Sequence, residues 1–94
     1  MFHSLNWRPD RIDHIRRHGI GPEEVEEAVF QDTDCLLVKG PKSNRDPSRH
    51  LYYVYGRTGE GRFLFVVLLD EGDAQALPVT VRDMNIRERR RYRA

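Results

Sequence analysis

Apolar residues in this chain gather into a few dense runs separated by polar punctuation. The densest is Phe63-Leu64-Phe65-Val66-Val67-Leu68-Leu69, which shows neither a 3.6-residue period nor polar alternation. Gly59 and Gly61 precede it and Gly72 follows it. A short run, rich in aromatic and β-branched residues and bounded by glycines, predicts a strand buried on both faces in the middle of a sheet. It is far shorter than the about 20 residues a membrane-spanning helix needs. Leu51-Tyr52-Tyr53-Val54-Tyr55 is a second strongly β-prone run. Gly56 to Gly61 joins the two, most simply as an antiparallel hairpin. Cys35-Leu36-Leu37-Val38 reads as a further strand and Ala76 to Val81 as the last, with Pro78 requiring an edge position or a bulge. Leu5-Asn6-Trp7 predicts a first edge strand, and the polar segment Gly40 to Arg49 a mobile surface loop.

Three segments carry helix signals. Pro9 suits a first helical turn with Asp10 beside it, Ile12 and Ile15 share a face, and Gly19 is placed as a left-handed cap. Gly21-Pro22-Glu23-Glu24 opens a second helix, whose Val25, Ala28 and Val29 form a narrow apolar stripe. Asn85-Ile86-Arg87-Glu88 has the form of a capping box and starts a third helix through Tyr92. The predicted order is β-α-α-β-β-β-β-α. That order implies an α+β fold in one domain over residues 1–94: a small antiparallel sheet, two N-terminal helices and one C-terminal helix.

Composition changes this picture in one respect, the placement of charge. The formal net charge is only +1, but from Arg82 to Arg93 six arginines stand against Asp83 and Glu88. From Glu23 to Asp34 there are six acids and no Lys or Arg. A basic face of this kind can meet phosphate, and an acidic one can meet a basic partner or keep the protein dissolved. The lone Cys35 rules out an internal disulfide framework and suits a reduced cytosol. The start Met1-Phe2-His3-Ser4 lacks a basic region followed by an apolar core, so a cytoplasmic, membrane-free protein is expected.

Candidate chemistry is sparse. There is no Walker loop, no dinucleotide fingerprint and no paired-cysteine metal site, so no metal or cofactor is expected. His14 and His18 are spaced i, i+4, but Ile15 stands where a zincin would place its glutamate. What remains is arginine near strand ends, with histidine and tyrosine nearby. Arg57 follows a strand, Arg82 ends one, and Arg16, Arg17 and His18 close the first helix. Metal-free RNA cleavage needs a base for the 2′-OH, an acid for the leaving 5′-oxygen and cations for the developing phosphorane charge. His18 has a suitable ordinary pKa, and arginine binds phosphate through paired donors.

The ordered motifs resemble the BrnT-type toxins. In the N-terminal half these are Trp7-Arg8-Pro9-Asp10, His18-Gly19-Ile20 and Pro22-Glu23-Glu24-Val25. In the C-terminal half they are Gly56-Arg57-Thr58, the long apolar strand, Val81-Arg82-Asp83-Met84, and Glu88 and Tyr92 four apart on an Arg-rich helix. Arg17 stands where that family often has Lys, and Pro78 interrupts the last strand. The resemblance implies a RelE-like fold and a small endoribonuclease, held inactive by a cognate antitoxin of the ribbon-helix-helix type. In that picture His18, Arg57 and Arg82 face a common groove, Arg57 and Arg82 clamp the scissile phosphate, and His18 or Glu88 moves protons. Arg16, Arg17, Arg87, Arg90 and Tyr92 would contact RNA. Two other readings are a non-catalytic nucleic-acid-binding module and a protein-interaction domain whose arginines only offset the acidic helix.

Overall fold

The apolar run forms the heart of β4 (Phe63–Gly72), the central strand of a five-stranded sheet. The computed structural model describes residues 2–94. In chain order the other elements are β1 (Ser4–Leu5), α1 (Pro9–Arg16) and α2 (Pro22–Glu26), which runs on into a π-helical turn (Glu27–Gln31). Then come β2 (Leu36–Lys42), β3 (His50–Arg57), β4, β5 (Gln75–Asp83) and α3 (Ile86–Arg93). The α+β class and the element order are those the hydrophobic pattern predicts.

Side chains along β4 alternate between two layers, as pleating requires. Leu64, Val66 and Leu68 join Ile15, Ile20, Val25 and Ala28 in the main cluster, under α1 and α2. Phe63 and Phe65 point the other way, into a smaller cluster with Tyr55, Met84 and Tyr92 under α3. The apolar stripe of the second helix is used as expected: Val25 and Ala28 are fully buried and Val29 packs beside them. Trp7 packs against the main cluster too, and its indole N–H donates to Glu26 Oε2 at 3.1 Å.

Helix ends follow the local signals. At the end of α1, Gly19 adopts φ +73°, its N–H bonds Arg16 O, and the Ile20 N–H bonds Ile15 O. This is the Schellman pattern, with buried Ile20 as its apolar anchor. At the start of α3, Asn85 accepts from the Glu88 N–H at 2.8 Å, and Glu88 accepts from the Asn85 N–H at 2.9 Å. The β3–β4 connection is the expected antiparallel hairpin, with Arg57 paired to Phe63.

Two expectations are corrected in detail and one is sharpened. First, β1 pairs with β5 in parallel, so the sheet is mixed rather than wholly antiparallel. Only two residue pairs make that junction, too few for side-chain pattern to reveal its direction. Second, Pro78 meets both terms of its expectation: β1 pairs only with Gln75 and Ala76, so Pro78 faces an open edge there, and toward β4 a bulge accommodates it, Val67 pairing with Thr80 and Leu68 with Pro78, which leaves Val79 as the extra residue. Along the edge of β5 beyond β1, Arg11 Nη1 donates to Val79 O at 3.1 Å, which blunts an otherwise open strand edge. Third, Gly40 to Arg49 is not a free loop. Strand β2 continues to Lys42, which pairs with His50. The remaining turn is closed by Ser43 N–H to Arg49 O and by Asp46, which accepts from the Ser48 N–H and from Arg49 Nε.

Candidate nucleic-acid interface

Helix α3 has almost no aliphatic residue to anchor it; Ile86 is 68% exposed. It is held instead by two polar side chains one turn apart, Glu88 and Tyr92. Tyr92 packs edge-on against Phe63, with ring centroids 5.8 Å apart, and its hydroxyl donates to Asp32 Oδ2 at 2.7 Å. Asp32 Oδ2 also accepts from the Arg57 N–H at 2.9 Å. One carboxylate thus ties the C-terminal helix to the end of β3. Desolvation, then the bond to Asp32, pushes the Tyr92 phenol up to about 12, so it stays a neutral donor.

Three guanidinium groups converge over the Phe63 ring. The carbon centres of Arg57, Arg89 and Arg93 lie 4.8, 4.3 and 5.3 Å from its centroid. Each is attracted to the ring by its quadrupole. Among the described residues, Arg8, Arg11, Arg49, Arg62 and Arg82 form ion pairs with carboxylates; Arg57, Arg89 and Arg93 form none. Like charges gathered with no carboxylate at ion-pair distance favour an external anion, although Asp32 and Glu27 lie near Arg57 and Asp83 feels the charge of Arg89. Beside Arg57, a cavity of about 270 Å³ is lined also by Glu27, Asp32 and Thr58. Glu27 Oε1 accepts there from the Gly59 N–H at 2.8 Å.

Arg82 lies on the same face, above Phe65, with its carbon centre 4.5 Å from that ring's centroid. Its state differs from that of the other three. Nη1 and Nη2 donate to the two oxygens of Glu88 at 2.6 and 2.7 Å, a bidentate pair. The bond from Arg82 holds the Glu88 carboxyl below the ordinary glutamate range, and the same bond raises Arg82. Glu88 is therefore an ionised partner of Arg82 and of the helix cap, not a free proton carrier.

Arg57, Arg82, Glu88 and Tyr92 share the α3 face, where Arg57 pairs with Phe63 and Arg82 with Phe65. Next to His18, Gly19 O accepts from Arg62 Nη1 at 2.8 Å, and Arg62 Nε donates to Asp83, the neighbour of Arg82, at 2.7 Å. Ile15 draws α1 into the opposite layer, and His18, exposed at the end of that helix, has its ring 5.4 Å from that of His14. Arg16 and Arg17 are exposed on the same helix end. Arg87 and Arg90 are exposed on α3. From α3 it is Arg89 and Arg93, which no motif in the sequence singles out, that join Arg57 over the ring. A helical signal for Arg89 exists: it precedes Tyr92 by three residues, on the face Tyr92 buries. Asp32 and Glu27 carry no such signal, since only the fold brings the acidic helix end to the start of the β3–β4 turn.

The chain matches no protein-family model and no curated protein. The fold and this face define an α+β domain with an Arg-rich helix laid over an aromatic sheet face. Among the described residues, no helix is long and apolar enough to cross a membrane.

Proposed function

We propose that this protein acts on RNA, binding the phosphate backbone on the α3 face and working there as a toxin-type endoribonuclease on a RelE-like scaffold. The observation that carries the reading is the convergence of Arg57, Arg89 and Arg93 on Phe63, none of them in an ion pair among the described residues. Cleavage itself is supported by the ordered resemblance to the BrnT-type toxins. The reaction needs no metal. The ribose 2′-oxygen attacks phosphorus, its proton leaves to a base, and the P–O5′ bond breaks as the 5′-oxygen takes up a proton. The products are a 2′,3′-cyclic phosphate and a 5′-hydroxyl. The three guanidiniums would stabilise the charge that develops on the phosphorane. Of the carboxylates nearby, Glu27 shares the cavity with Arg57 and is the better-placed base; Glu88 is engaged by Arg82. The resemblance further implies a cytoplasmic protein neutralised by a ribbon-helix-helix antitoxin.

A second reading is a non-catalytic nucleic-acid-binding module. It is favoured by the closed Arg82–Glu88 pair, which occupies two of the residues expected to act on phosphate and proton. One experiment separates the two. Purified protein is incubated with RNA in the presence of a chelator, and the ends of any fragments are identified. Cleavage leaving 2′,3′-cyclic phosphates, lost in Arg57→Ala, supports the endonuclease. Binding that leaves the RNA intact selects the module. Intact, unbound RNA removes both.

A further inference from the structure

We infer that Arg82 and Phe65 form a stacking site for an unpaired base, so that the RNA taken by this face is single-stranded. The inference rests on the proposed RNA-binding role of the α3 face and assigns Arg82 a role other than the phosphate clamp expected from sequence. Hydrogen bonds of a guanidinium lie in its plane, and three of those of Arg82 are taken. Two go to Glu88 at 2.6 and 2.7 Å, and Nη1 also donates to Asp83 O at 3.2 Å. Its charge is thereby matched by a carboxylate, which makes it a poor phosphate ligand beside the unmatched Arg57, Arg89 and Arg93. Its faces are a separate matter. The carbon centre sits over the Phe65 ring, 4.5 Å from its centroid, and the side chain remains 47% exposed. An outer face is left for a planar ligand.

The plate is braced from below. Tyr55 meets Phe65 edge-on, with centroids 5.3 Å apart, and Tyr53 lies against it at 5.4 Å. Clamped by Glu88 and seated on a fixed ring, the guanidinium gives up little freedom when a base settles on it. Arginine planes and aromatic rings are the usual platforms for splayed-out bases, and they tolerate any base because each has a π-face. Phe65 follows Phe63 by two residues of strand, about 6.8 Å. The stacking plate and the phosphate-binding cluster are therefore neighbours on one sheet face, a nucleotide's reach apart. A duplex hides its base faces within its own stack and cannot use such a plate.

The test uses a single-stranded oligonucleotide with 2′-O-methyl riboses, which cannot be cleaved by 2′-OH attack, carrying one 2-aminopurine. A matched strand is abasic at that position. Wild-type protein is expected to quench the fluorescence and to bind the base-bearing strand about tenfold more tightly than the abasic one, the size of a single stack. Arg82→Lys keeps the charge and removes the plane; Phe65→Leu removes the support. Both are expected to lose the quench and that tenfold preference while keeping the salt dependence. Equal binding of the two strands by wild-type protein would overturn the stacking site and leave the phosphate reading standing. A quench and affinity unchanged in Arg82→Lys would overturn it as well. Binding of neither strand would overturn both.

Discussion

Two single residues show how tightly backbone geometry is set near the site. Gly56 is buried where β3 passes the π-helical turn. A Cβ there would lie 2.3 Å from Ala28 O and 2.9 Å from its carbonyl carbon, backbone atoms that cannot swing aside. Gly56→Ala is expected to destabilise the fold by about 1–3 kcal/mol, the range of core overpacking. Ala74 gives the opposite case. In the β4–β5 turn, Asp73 and Ala74 have φ of 55° and 61°, the left-handed geometry of a tight hairpin. A residue with a Cβ is held there at a cost of about 1–2 kcal/mol. Part of that gain is offset by the greater freedom of glycine in the unfolded chain. Ala74→Gly is expected to stabilise by about 0.5–1 kcal/mol once that offset is included. Urea midpoints of the two variants should move in opposite directions.

Among the elements, α3 is the one whose attachment depends on charge. Its links to the sheet are the Arg82–Glu88 pair, the Tyr92–Asp32 bond and arginine stems over rings. Glu88 titrates below its ordinary value of 4.5 because Arg82 donates to it. The folded state therefore binds fewer protons than the unfolded one. The stabilising contribution is complete above about pH 4.5 and is lost as pH falls through the lowered value. Asp83, lowered by Arg62, acts in the same sense. NMR shifts of α3 amides should move toward undocked values on acidification below pH 4.5, and Glu88→Gln should remove most of that change. Helix shifts that stay constant while the Glu88 carboxyl carbon itself reports protonation would contradict this attachment.

How the element scale was legible follows from the same distinction. The apolar run, Gly19 and the Asn85–Glu88 box are local signals, and each gave its element. The direction of β1, the closure of the Ser43–Arg49 turn and the π-helical turn depend on contacts between distant segments. The site was half legible for the same reason. Arg57 and Arg82 stand at strand ends readable from turn residues, whereas the pairing of Arg82 with Glu88 and the approach of Arg89 and Arg93 to Phe63 are decided by packing.

At the scale of the molecule, the sheet is a partition. One face is closed by α1 and α2 over the main core; the other carries α3 and its arginines over Phe63 and Phe65. Exposed cations exist on both sides, with Arg16 and Arg17 on the α1 side. Among the described residues, only the α3 side gathers three of them on one ring with none in an ion pair. A modest net charge of +1 thus conceals a one-sided face for phosphate. The measurement that addresses this most directly is the salt dependence of RNA binding. For a single strand, log K falls against log salt by about 0.7 for each phosphate contact, so three guanidiniums predict a slope of about −2. Arg57→Ala, Arg89→Ala and Arg93→Ala should each make it shallower by about 0.7, and Arg16→Ala should leave it unchanged. A slope indifferent to the first three variants, or one that falls equally with Arg16→Ala, would contradict the assignment of RNA binding to the α3 face.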